Sequence, residues 1–180
     1  VLYILLWRLR DSIWANDNEL LLMLTLILIS SIFLRGVSYF SQLSDLEFIQ
    51  YSLPISFVGI LSVTLLNLRA TLILSLSSSL LALAGGGSVG LVALGALGTI
   101  VPAIFLSEET DRSLLRERIV YISLTQPLLA FGVYFFLRDD GNLTQILIFS
   151  FLIALVANLA AFSLTSYIES IFRLTSGFKL

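Results

Sequence analysis

The sequence has no cysteine and no histidine among its 180 residues. Without cysteine there is no disulfide and no thiolate metal site. Without histidine the commonest metal ligand and the usual general base are lost together. Charge is also scarce: 12% of residues are Asp, Glu, Lys or Arg, about half the share of an ordinary soluble domain. A phosphate-binding glycine loop needs Lys-Ser or Lys-Thr behind it, and none is present. Gly85-Gly86-Gly87-Ser88 lies between two apolar runs and reads as a turn. No catalytic constellation remains, so the segment is expected to be no enzyme and to hold no cofactor or metal. The net charge of −2 gives no reason to expect nucleic acid.

What the chain has is apolar sequence: 58% of residues are hydrophobic and the mean hydropathy is +1.01. Runs of this kind recur along the whole length and leave too little polar surface to face water. The expected fold is all-α, a polytopic transmembrane bundle of about seven helices with the lipid bilayer as its main partner. A helix needs about 20 apolar residues to cross the hydrocarbon. Candidates are 1–7, 20–34, 49–66, 70–84, 88–106, 119–137 and 143–167. The first reads as the tail of a helix already under way, which points to a domain cut from a longer protein. Positions 36–48 read as a mixed loop, and Pro54 is expected in the first turns of the third helix, where proline is easiest to place.

The basic residues set an orientation, because cytoplasmic loops carry the excess of Lys and Arg. If the first helix enters the cytoplasm at Arg8, the inside loops hold Arg8, Arg10, Arg69, Arg112, Arg116, Arg118, Arg173 and Lys179. Only Arg35 and Arg138 fall outside. If the third and fourth segments are a re-entrant pair, Arg69 alone changes side. If the fourth alone fails to span, the later loops invert.

Within the spans the polar residues stand out. Gln126 and Asn158 sit at membrane depth, where an unpaired amide costs several kcal/mol, so each should have a partner. Ser75, Ser77, Ser78 and Ser79 can bond their own backbone carbonyls or line a ligand path. Pro127 should free a carbonyl near Ser123 and kink its helix, as static structure or as a hinge. Gly86 and Gly90, four residues apart, suit close helix packing or a cleft. No charged residue lies deep in a span, which argues against ion-coupled transport.

The last stretch, from Ser166 to Leu180, turns amphipathic where the apolar run stops. Glu169 and Arg173 are four residues apart and would pair on one helix face, with Phe172 beside them. Pattern alone is compatible with a juxtamembrane helix end. The run Tyr167-Ile-Glu-Ser-Ile-Phe-Arg-Leu-Thr-Ser-Gly-Phe-Lys-Leu180 also resembles the end of the membrane domain in bacterial seven-transmembrane receptors with an intracellular HD hydrolase domain. Glu169, Ser170, Phe172, Thr175, Lys179 and Leu180 match in kind, whereas Ser166, Arg173 and Gly177 stand where proline, glycine and aspartate are usual. Pro54, Leu68-Arg69-Ala70 and the Gly-Gly-Ser step at 86–88 extend the similarity upstream.

The resemblance implies an extracytoplasmic domain before the bundle and a cytoplasmic hydrolase after it, similar to cyclic di-AMP phosphodiesterases with two divalent metal ions on His and Asp ligands. The segment would then be a sensor and transducer in the bacterial inner membrane, C-terminus in the cytoplasm. Glu169, Phe172, Arg173 and Thr175 would carry its signal outward, and a homodimer is a natural assembly. The other reading is a small permease, or a transport-complex subunit, for a neutral solute, with Gln126, Asn158 and the serines along its path.

Overall fold

The computed structural model describes residues 17–44, 51, 54–107, 112–137 and 141–172. Among them are six helices: α1 Asp17–Ser44, α2 Ser56–Leu65, α3 Leu68–Ala84, α4 Val89–Ser107, α5 Arg112–Leu137 and α6 Leu143–Phe172. No strand occurs among the described residues. The fold is thus an all-α membrane bundle. Four segments, in α1, α4, α5 and α6, are long and apolar enough to cross a bilayer. The candidate span at 1–7 lies outside the described residues.

Short polar residues start the helices and glycine stops one. The Asn67 side chain accepts from Ala70 N–H at 2.8 Å, Ser88 Oγ from Leu91 N–H at 3.2 Å, and Asn142 Oδ1 from Thr144 N–H at 3.1 Å. Each occupies an amide that the first turn leaves without an intrahelical acceptor. At the end of α3 the Gly87 N–H donates to Ala82 O at 2.9 Å and Gly86 N–H to Leu83 O at 3.0 Å. Gly86 has φ +82, the left-handed residue that this double closure requires.

The helices form a ring in the order α1, α3, α4, α5, α6, closed by a slight contact of α6 with α1, and the short α2 stands inside it against α1, α3, α4 and α6. Nearly every residue of α2 is buried, as expected of a helix that is apolar all round. Two clusters of buried side chains stack along it. Ile55, just before α2, joins Leu34, Leu94 and Val133 at one end. Leu61 and Leu65 join Leu22, Leu26, Leu106 and Ile122 at the other.

The outer surface of the bundle is apolar, unlike that of a soluble one, and part of the interior is polar. On α3 the four serines face inward, while Leu72, Leu76, Leu80 and Leu83 are exposed. On α1 Leu21, Leu24, Leu28 and Ile32 form an exposed stripe at three- and four-residue steps. In hydrocarbon, burying leucine gains little, so small and polar side chains take the interior, where they bond across helices or let backbones approach.

Helix boundaries differ from the sequence expectation in three places. Instead of ending at 34 and giving way to a loop, α1 continues to Ser44. The polar residues after Arg35 suit a helix leaving the hydrocarbon as well as they suit a loop. Where 49–66 was expected to be one helix with Pro54 inside it, Pro54 lies in a turn and α2 starts at Ser56. Proline cannot donate to the preceding turn and disfavours helical geometry in the residue before it. Lastly, α5 starts at Arg112, so the charged stretch is partly continuous with the span behind it.

At the crossing of α2 and α4, a Cβ on Gly59 would collide with the carbonyl oxygen of Thr99 and stand 3.0 Å from its Cα. Backbone cannot yield as a side chain can. Gly59→Ala should therefore lower stability by about 1–3 kcal/mol. Gly132→Ala, at a position where a Cβ meets nothing within 4 Å, should be neutral or stabilising by up to about 1 kcal/mol. Unfolding titrations of the purified protein in mixed micelles, followed by circular dichroism, measure both.

Candidate functional site

A fully buried side-chain hydrogen bond joins α5 to α6. Pro127 has no N–H for the carbonyl four residues earlier, that of Ser123. At this same turn Asn158 Nδ2 donates to Ser123 Oγ at 2.9 Å, and Ser123 Oγ donates to Ile119 O at 2.7 Å. Both side chains are 0% exposed. The Asn158 amide thus has a partner through its nitrogen, while Oδ1 accepts from none of the described residues. A buried orphan oxygen of this kind costs about 1–3 kcal/mol. Through Pro127 α5 remains one helix.

Gln126, one residue before that proline, is also buried and faces α4: a Cβ on Gly98 would lie 3.1 Å from its Oε1. Gly98 is the residue whose carbonyl Pro102 leaves without its usual donor. So in both α4 and α5 a long polar side chain from a neighbour lies beside a turn that a proline has opened.

The serines of α3 divide. Ser78 Oγ donates to Ser75 O at 3.0 Å, the local bond expected. Ser75 instead reaches across to Ala96 O of α4 at 3.1 Å. The hydroxyl of Ser79 has no partner among the described residues. The glycine pair also divides. Gly90 packs on Val133 and Leu137 of α5, where a Cβ would meet both side chains. Gly86, expected to share that packing face, lies in the turn with nothing within 4 Å of its Cβ position. It is glycine for its backbone conformation and not for packing.

At the exit end α6 carries on through Phe172 without a break. Ile168 and Phe172 are partly buried against the cluster that contains Leu61 and Leu65 of α2. Glu169 is half-buried on the same helix. Arg173 and Thr175 lie outside the described residues, as does the expected pairing of Glu169 with Arg173.

Two adjoining cavities occur at the other end of the bundle, around Arg35 and Tyr39. Ser75, Ser79, Gln126 and Asn158 line neither of them. These polar side chains are packed between helices. Among the described residues no cluster of His, Cys, Asp or Glu suited to a metal ion is found. Two contributors escaped sequence reasoning. Gly59 looked like any small residue in an apolar run, and the Ser123 hydroxyl was overlooked in favour of its carbonyl. The only signal for Ser123 was its place one turn before Pro127.

Compared with known families, the chain matches a family model described as "7TM receptor with intracellular HD hydrolase" over residues 1–176. No curated protein and no solved structure matches it significantly.

The Ser123–Asn158 bond can be measured directly. Ser123→Ala and Asn158→Ala should each destabilise the bundle. The double-mutant cycle should return a coupling of about 0.6 kcal/mol, and not above about 1.7, in line with side-chain hydrogen bonds inside membranes. Micelle unfolding titrations of the four proteins give the number.

Proposed function

The chain belongs to the family of 7TM receptors with an intracellular HD hydrolase, and we propose that it is the sensor and transducer of a cyclic-dinucleotide phosphodiesterase. In this reading a cytoplasmic HD domain of the same parent protein hydrolyses cyclic di-AMP with two divalent metal ions. Its His ligands lie outside this chain, which has no histidine. An extracytoplasmic domain stands on the other side, the membrane is the bacterial inner membrane, and the C-terminus is cytoplasmic. That orientation agrees with the placement of eight of the ten basic residues on one side. Regulation through a homodimer completes the proposal.

The observation that carries the transducer role is the contact of α6 with the core around α2. A signal that repacks α2 changes the surface on which Ile168 and Phe172 rest. These residues stand on the last turns of a helix about 45 Å long that leads toward the exit. Tight packing makes such a contact responsive to discrete rearrangements. A ligand then acts by favouring one packing over the other, to the extent of its differential affinity. Glu169 and Phe172 lie in the last described turns of that helix. With Arg173 and Thr175 they form the proposed coupling segment.

In the full-length protein, hydrolysis of cyclic di-AMP should require a divalent metal and stop on chelation. Phe172→Ala combined with Glu169→Ala should shift basal or signal-dependent hydrolysis by about five-fold or more. A properly inserted double mutant with unchanged hydrolysis would remove α6 as the coupling element. A wild-type protein inert toward cyclic di-AMP would remove the substrate assignment.

A further inference from the structure

The two cavities near Arg35 form one groove with a polar head and an apolar tail. The head, of about 260 Å³, lies between the C-terminal half of α1 and the α3–α4 turn and is lined by Arg35, Ser38, Tyr39 and Gly85 to Gly87, together with the apolar Leu34, Ala82 and Leu91. The tail, of about 540 Å³, shares Arg35 and Tyr39 and runs back along Leu28, Ile32 and Leu81. Those three apolar side chains are exposed on the outer surface of the bundle, so the tail opens sideways toward hydrocarbon.

Depth along α1 matches this division. About 24 Å of helix separates Glu19, near one end of the span, from Arg35. With a hydrocarbon core of about 30 Å, the Arg35 backbone lies about 6 Å inside the far boundary, a distance its long side chain can span to reach headgroups, and its exposed neighbour Tyr39 is at the depth where tyrosine is enriched.

The guanidinium is held in place without being neutralised. It lies over Gly85, where a Cβ would stand 2.8 Å from Nε and 2.9 Å from Nη2. Among the described residues no carboxylate or carbonyl binds it, and it is the only charged side chain lining the groove. The carbonyl end of α3 beneath it supplies a partial negative charge, which steadies the side chain but leaves its donors available. A planar fork of N–H groups suits a phosphate in two-point contact.

We propose that this groove binds an anionic phospholipid, its phosphate on Arg35 and an acyl chain along Leu28, Ile32 and Leu81. The occupant enters laterally from the bilayer, and it bridges α1 and the α3–α4 turn beside Leu34, Ala82 and Leu91 of the buried cluster that contains Ile55. The site does not depend on the hydrolase reading, because its occupancy is read by labelling and not by turnover.

The test places the full-length protein in nanodiscs of phosphatidylcholine and phosphatidylglycerol with a trace of diazirine-bearing phosphatidylglycerol, followed by irradiation and peptide mapping. Adducts should concentrate at 28–39 and 81–87. Arg35→Gln should lower them by about five-fold, roughly the worth of one basic side chain at an anionic surface. Adducts on the exposed Leu124 and Leu128 of α5 should stay unchanged, which reports correct insertion. Gly85→Ala, whose backbone φ of −84 alanine accepts, keeps the charge but displaces the guanidinium, and should lower the same adducts. Equal labelling by diazirine phosphatidylcholine overturns the proposal, as do full labelling in both variants and labelling by diazirine palmitate alone.

Discussion

A ten-residue helix held inside a ring of five others is the constraint on which this bundle depends. At about 15 Å, α2 is half as long as the hydrocarbon is thick. It has almost no exposed surface, and although the buried Ser56 Oγ has no partner among the described residues, its other polar groups must be satisfied by the chain itself. Ser62 and Thr64 do so locally, donating to Gly59 O at 3.0 Å and Leu61 O at 3.1 Å. The Leu66 N–H closes the last turn on Ser62 O at 2.9 Å. Without a strong hydrophobic drive between helices in lipid, close contact has to come from shape. Gly59 meets the backbone of Thr99, and Gly90 the side chain of Leu137, with no room for a Cβ at either.

The remaining helices follow from the same requirement. Glycines on α4 meet two sides of the bundle: Gly90 and Gly98 face α5, at Leu137 and at Gln126, and Gly95 faces Leu34 and Ile55. Polar side chains also tie neighbouring helices together. Asn158 reaches Ser123 beside Pro127, and Ser75 crosses to Ala96 where α3 meets α4. These contacts fix which helix sits beside which, and so decide that α6 leaves the bundle with Phe172 resting on the α2 cluster. The proposed transduction and the proposed lipid site stand at opposite ends of one packed unit, joined through the core around α2.

Much of this was legible before folding. Hydropathy and the near absence of charge indicate a membrane bundle, because lipid imposes its length and polarity on every spanning helix. The exit stretch resembles the family that the chain matches over residues 1–176. Less legible were the ends of helices. Polar residues at 36–44 read as loop, yet they suit a helix emerging into the interface. The role of each glycine was also hidden, since Gly86 and Gly90 look alike in sequence while one closes a turn and the other packs a helix.

The sequence by itself determined the class, most helix-forming segments and the glycine turn at 85–87, since these rest on local backbone geometry and on transfer to lipid, which each segment meets alone. Tertiary structure decided that the shortest helix occupies the centre, that Ser75 bonds across to α4 while Ser78 bonds within its own helix, and that Arg35 lies over Gly85. Those outcomes depend on which surfaces approach closely. In a bilayer that choice rests on steric fit and paired polar groups between segments far apart in the chain, quantities that no local pattern contains.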